Sequence, residues 1–178
     1  NLKSYKEYEN IKEKLILADS IGKARHLWWK IRPHFEFNTI EFRVCDIQRS
    51  LSKTRMLIAF TQALVHAICN ELKSSKKQNL YNMEFLNDGI WKAATKGMDS
   101  IIINPFNEKI ISMKEMVSYM IKYIEPSLIH FGNEDSIEVA NQIVHGKTEA
   151  QEQIDVYNES GFNGLKRFLV DNVEYKII

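Results

Sequence analysis

From His26 to Asp46 the chain reads HLWWKIRPHFEFNTIEFRVCD, and the reading of this stretch decides the fold. In Thr39 to Asp46, Ile40, Phe42 and Val44 fall on one face of an extended chain, and Glu41, Arg43 and Cys45 on the other. Strand side chains alternate with period two, so Glu41 and Arg43 project side by side. The preceding run repeats the pattern. Leu27, Trp29 and Ile31 share one face, and Trp28, Lys30 and Arg32 the opposite one. The alternation predicts two strands, over about 26–34 and 38–46, with Pro33 limiting the first. Their apolar faces are expected against helices and their charged faces toward water. Paired in one sheet, they bring a carboxylate and two guanidinium groups over one patch. A carboxylate can bind Mg²⁺, and planar guanidinium forks suit phosphates and carboxylates. The same pattern also suits an ordinary amphipathic hairpin whose wet face carries cross-strand ion pairs.

Outward from this hairpin the pattern turns helical. Tyr5, Tyr8, Ile11, Leu15 and Ile16 predict a helix over 3–18, closed near Gly22. A long helix is expected over about 51–73, capped by Ser50 or Ser52, with Leu57, Phe60, Leu64, Ala67, Ile68 and Leu72 as its apolar stripe. His66 sits beside that stripe as a core or boundary histidine, and Cys69 within it as a small buried apolar residue. Lys73 to Lys77 form a basic exit into a solvated loop. Tyr81 to Met98 are a second helical region, followed by a short extended segment, Ile101 to Ile103. Ser112 and Glu115 have capping-box spacing and open a helix that Pro126 is expected to break. Further helices are expected at 134–145, from a Thr148–Gln151 cap to about Glu159, and at 164–173, with Gly146 and Gly161 as stops. The fold class is therefore α+β: a small antiparallel sheet near the N-terminus packed by several helices, in a single region, 1–178.

Composition narrows the functions. The 178 residues suffice for one domain with a core. A net charge of +1 argues against a nucleic-acid or membrane surface, although Trp28 and Trp29 beside Lys30 and Arg32 are a pattern that can stack bases and hold phosphate. No membrane partner is expected. No basic-then-apolar leader opens the chain, and a cytoplasmic location is the expectation. Two cysteines, Cys45 and Cys69, make no disulfide framework. Cys45, on the face of Glu41 and Arg43, is a filler or a reactive thiol.

The pattern from Trp28 to Pro33, WWKIRP, followed after a short spacer by TIEFRVCD from Thr39 to Asp46, resembles the carboxylate–amine ligase family related to type 2 glutamate–cysteine ligases. Its Glu-x-Arg followed by Asp is similar to the closing strand of the glutamine synthetase catalytic sheet. WKAATKGMD, Trp91 to Asp99, and HGKTEAQEQIDVYNESG, His145 to Gly161, resemble later segments of the same family. The likeness departs where members often carry Asn and Arg. Gly89 and Thr95 stand there, with Lys92 and Lys96 nearby, so the contact made by that Arg is not carried over.

The resemblance covers the C-terminal half of a family member. Together with Asn1 in place of an initiator Met, it implies a fragment, inactive alone, of a glutamine synthetase-like catalytic domain. The N-terminal half is then the expected partner, and a homo-oligomer the expected assembly. It implies an ATP-dependent ligase in which a glutamate-like acid takes the γ-phosphoryl group of ATP and an amino-acid amine attacks the acyl phosphate. Mg²⁺ would be held in part by Glu41. Arg43 would offset charge on the transferred group, Arg32 would hold a carboxylate or phosphate, and Lys30 would contact the nucleotide. His34 is adjacent and is expected to be structural. The reading of a different class is a non-catalytic helical module that binds a partner through its sheet edge.

Overall fold

The computed structural model describes residues 2, 4–34, 37–75 and 81–173, which form two compact units, 1–46 and 47–178. The first unit holds helix α1 (Tyr5–Leu17), a 3₁₀ turn at Ala24–His26 and the hairpin of β1 (Ile31–His34) and β2 (Thr39–Phe42). Ser4 caps α1, its hydroxyl accepting from the Glu7 amide. Tyr8 and Leu27 are buried, and Tyr8 meets Trp29 edge-on at 5.5 Å. The strands pair antiparallel with Arg32 opposite Glu41 and Pro33 opposite Ile40. The Arg43 amide donates to the Lys30 carbonyl at 2.8 Å and continues the ladder one step. Asn38 takes the left-handed conformation at φ 50°, which asparagine tolerates in tight turns.

Two expectations for this hairpin fail. The strands are shorter than the alternation predicts, because a run of alternating side chains does not provide a ladder partner for every residue. Ile40 and Val44 are not buried against helices. Ile31, Ile40 and Val44 are all more than half exposed, while the Arg32 side chain opposite Glu41 is only 12% exposed. A two-stranded hairpin has no second layer of its own to cover both faces. Within the paired strands Arg32 is enclosed, while Ile31 and Ile40 on the other face are open.

The second unit is built on α2 (Leu51–Ser75), α3 (Met83–Lys96), strands β3 (Ile101–Ile103) and β4 (Ile110–Ser112), α4 (Met113–His130), α5 (Ser136–His145) and α6 (Glu149–Asp171). Ala59 and Ala63 on α2 are buried against Ile124 and Leu128 of α4. Their small side chains let the two helices close until Ala63 and Leu128 have no exposed surface. Met56, Ile121 and Ala140 join α2, α4 and α5 in an adjoining cluster. The buried stripe of α2 is thus rotated from the predicted one. Ile68 and Leu72 are exposed, and so is Cys69, against expectation. His66 is a boundary residue as expected, with Nδ1 3.0 Å from the Ser127 hydroxyl. The basic exit after Lys73 is helical through Ser75, and its remainder lies outside the described residues.

Pro126 does not break α4, which runs on to His130. Proline removes one hydrogen bond, but Ile124, Ser127 and Leu128 are buried on both sides of it, and that packing holds the helix together. The Ser112–Glu115 capping box forms in full. The backbone hydrogen bond from Ser112 holds the Glu115 carboxyl below its ordinary value, with the Ser112 hydroxyl adding to the effect. Strand β4, absent from the sequence reading, pairs antiparallel with β3. Buried Asn104 closes their turn, its side-chain oxygen accepting from the Phe106 amide at 2.9 Å. Thr148 caps α6, and the helix is kinked at Gly161, whose φ of 63° is open to glycine without a Cβ penalty.

An ion cluster ties the start of α2 to the first turn of α6. Arg49 Nε lies 2.7 Å and Lys53 Nζ 2.8 Å from the buried Glu149 carboxylate, and Arg49 also pairs with Glu152. The Arg49 guanidinium stands 4.1 Å from the centre of the Phe168 ring. Burial pushes the Glu149 carboxyl up, but hydrogen bonds and charge from Lys53 and Arg49 outweigh it and hold the carboxyl below its ordinary value. A depressed carboxyl stabilises the fold above its unfolded value and loses that contribution as pH falls through the folded one. Thermal melts should therefore show Glu149's contribution intact above about pH 4.5 and lost below it. Glu149→Gln should remove that part of the pH slope and cost about 2–3 kcal/mol at pH 7, since Arg49 keeps Glu152 as a partner. Leu128→Ala should cost about 2–5 kcal/mol by denaturant unfolding.

Candidate functional site

The register of β1 and β2 builds the site. Arg32 stands across from Glu41, and its Nη2 pairs with Glu41 Oε2. Its Nη1 donates to the Arg25 carbonyl at the end of the 3₁₀ turn. Its Nε is buried with no hydrogen-bond partner among the described residues. Arg43, one residue beyond β2, brings Nε to 3.8 Å from Glu41 Oε1. Its guanidinium carbon lies 5.5 Å from the centre of the Trp28 ring. Lys30 is exposed and occupies the ladder position opposite Arg43. The predicted residues Lys30, Arg32, Glu41 and Arg43 therefore all belong to one end of one hairpin.

His34 closes β1. Its ring stacks on Phe37 at 4.7 Å, and its Nδ1 is buried with no hydrogen-bond partner among the described residues. Cys45 is exposed and lies past the end of β2. Two contacts escaped the sequence reading. One is the Arg25 carbonyl, a backbone acceptor that no side-chain pattern reports. The other is the Trp28 ring on Arg43; its only sequence signal was the shared parity of Trp28, Lys30 and Arg32.

Charge decides what this end of the hairpin can hold. One carboxylate, Glu41, is paired with two guanidinium groups, leaving the cluster cationic. Such a cluster suits phosphate or carboxylate oxygens. No group of three or more His, Cys, Asp or Glu side chains able to hold a metal occurs among the described residues. Glu41 fits Mg²⁺ as a single oxygen donor, and an octahedral site would need its other oxygens from phosphate, water or further carboxylates.

Residues 1–167 match the family described as Glutamate-cysteine ligase family 2 (GCS2). The chain belongs to this family. Among its relatives is a protein of Solibacter usitatus (strain Ellin6076) named "Putative glutamate--cysteine ligase 2". It is 26% identical over 175 residues, which are 97% of this chain and 45% of the relative. A protein of the same name from Chloroflexus aurantiacus (strain ATCC 29366 / DSM 635 / J-10-fl) is 29% identical over 170 residues, 96% of this chain and 43% of the relative. A third, from Sorangium cellulosum (strain So ce56), is 28% identical over 158 residues, 86% of this chain and 41% of the relative. The chain thus spans under half the length of these GCS2 relatives. None of its described helices is long and apolar enough to cross a membrane.

The later segments that resemble the family lie in the second unit of this GCS2 chain. Trp91 to Lys96 end α3, where the Thr95 hydroxyl donates to the Trp91 carbonyl, and Gly97 follows at φ 55°. His145 to Gly161 hold the stop of α5 and the capped first half of α6.

The forked contact of Arg32 gives a direct test of the hairpin. Arg32→Lys replaces a planar fork by one ammonium group, which cannot meet Glu41 and the Arg25 carbonyl with the same geometry. Loss of one such bond, worth about 1 kcal/mol, should speed hydrogen exchange of the Arg43 amide about fivefold, measured by NMR.

Proposed function

We propose that this chain is the C-terminal part of an ATP-dependent carboxylate–amine ligase, with the β1–β2 hairpin contributing to the phosphoryl-transfer site. The observation that carries the reading is the cationic cluster of Arg32, Glu41 and Arg43 on paired strands, in a chain of the GCS2 family. The names of the relatives suggest glutamate and cysteine as the acid and the amine. The rest of the protein would be an N-terminal half that supplies further carboxylates, and the assembly would be a homo-oligomer in the cytoplasm.

In this reading a carboxylate oxygen of the acid attacks the γ-phosphorus of ATP. The bond from that phosphorus to the β,γ-bridging oxygen breaks, ADP leaves, and an acyl phosphate remains. The amine nitrogen then attacks the acyl carbon, inorganic phosphate leaves, the nitrogen loses a proton, and an amide bond is formed. Phosphoryl transfer is served chiefly by position and charge. Arg43 is the more open guanidinium and faces the transferred group. Arg32 is held by Glu41 and the Arg25 carbonyl, and keeps positive charge beside the acyl phosphate. Lys30 contacts the nucleotide. Glu41 orients both arginines and offers one oxygen to Mg²⁺, which when bound would neutralise phosphate charge.

Two measurements test this. The 178-residue chain alone should form no amide above a no-enzyme control, because Mg²⁺ needs several oxygen donors and no group of three or more potential metal ligands occurs among the described residues. In a polypeptide as long as the relatives, Glu41→Gln should lower kcat about 10²-fold or more, as removal of one preorganised electrostatic element does. Arg43→Lys, which keeps the charge and loses the fork, should also lower it strongly. Near-wild-type turnover in both variants would put the ligase chemistry elsewhere. It would favour the partner-binding module, in which Glu41 and Arg43 form only a surface ion pair worth about 0–1 kcal/mol.

A further inference from the structure

Trp28 is 81% exposed, an unusual position for a large apolar ring. Among the described residues of the first unit the buried ones are Tyr8 and Leu27, with Trp29 against Tyr8, and their packing does not account for it. Its observed contact is with Arg43, whose guanidinium carbon lies 5.5 Å from the ring centre. The same guanidinium has Glu41 Oε1 3.8 Å from its Nε. Arg43 is therefore gripped by a π face and a carboxylate together. Arg32 has a different support, because a carbonyl and a carboxylate hold it on the ladder.

The difference matters for a long side chain at the end of a strand. Arg43 lies past the last residue of β2, where its amide donates to the Lys30 carbonyl. An arginine there loses considerable rotamer entropy when it is fixed. The carboxylate alone sets one end of the guanidinium and leaves the plane free to turn. A cation over an aromatic face adds the second constraint, and its attraction survives in water because it is set by the ring quadrupole.

We propose that Trp28 is a positioning residue for Arg43: its exposed indole face holds the guanidinium beside Glu41, in place to meet the phosphate. This rests on the reading of Arg43 under "Proposed function". Trp28 itself touches no reacting atom. Its contribution is the fraction of time that Arg43 spends in the productive orientation, so it acts on kcat more than on KM.

The test is a double-mutant cycle in the full-length ligase, read by steady-state kinetics and thermal melts. Trp28→Leu should lower kcat about two- to five-fold, which is about 0.5–1 kcal/mol at 1.36 kcal/mol per tenfold. KM for ATP and the melting temperature should stay near their wild-type values, because the ring is mostly in water. Trp28→Phe, which keeps an aromatic face, should recover most of the loss. In an Arg43→Gln background, Trp28→Leu should change nothing further. An equal fall from Trp28→Leu in both backgrounds would overturn the inference, and so would wild-type kcat in Trp28→Leu or failure of Trp28→Phe to recover it. Arg43→Gln with wild-type turnover would instead remove the functional reading on which the inference stands.

Discussion

Arg32 and Glu149 lose most of their contact with water on folding, and each is met by opposite charge. That constraint organises both units of the chain. An unpaired buried charge costs several kcal/mol, far more than a surface ion pair returns. In the hairpin, Arg32 and Glu41 face each other across the ladder, so a one-residue slip of register would send one of them to the opposite face. In the helical unit, Glu149 requires Arg49 and Lys53 together, and this requirement joins α2 to α6 across about a hundred residues of sequence. Both acids of that cluster lie in the first turn of α6, where the helix dipole also favours negative charge.

The two clusters differ in what remains for chemistry. Arg49, Lys53, Glu149 and Glu152 satisfy one another, and Phe168 covers the guanidinium. Nothing in that arrangement is left over for a ligand. At the hairpin the balance is cationic, Arg43 stays partly open, and Arg32 Nε and His34 Nδ1 are buried with no hydrogen-bond partner among the described residues. A surplus of positive charge with an unused guanidinium donor is suited to an anion. This difference in electrostatic balance, rather than the number of ion pairs, separates the candidate site from the scaffold.

The uncovered apolar face of the hairpin fits a chain that spans under half the length of its relatives. Ile31, Ile40 and Val44 have the composition of a buried strand face and the exposure of a surface. Two strands do not make an independently stable sheet in water, and a hairpin of this composition gains most when another layer covers it.

Much of this was legible in the residues themselves. Period-two alternation from Leu27 to Val44 located the hairpin and put Arg32, Glu41 and Arg43 on one face. Helical spacing and caps at Ser4, Ser112 and Thr148 follow local rules, so most helices stand where the pattern places them. The WWKIRP and TIEFRVCD motifs pointed to the family. Tertiary structure decided the rest, because it depends on partners distant in sequence. Packing against Ile124 and Leu128 selected Ala59 and Ala63 as the buried stripe of α2 and left Ile68, Leu72 and Cys69 exposed. Burial on both sides of Pro126 kept α4 intact where local propensity predicted a break. Strand β4 exists because β3 offers it a ladder. Which hairpin side chains are enclosed, and which ring meets Arg43, were likewise set by packing, since alternation divides side chains between two faces without choosing which of them are covered.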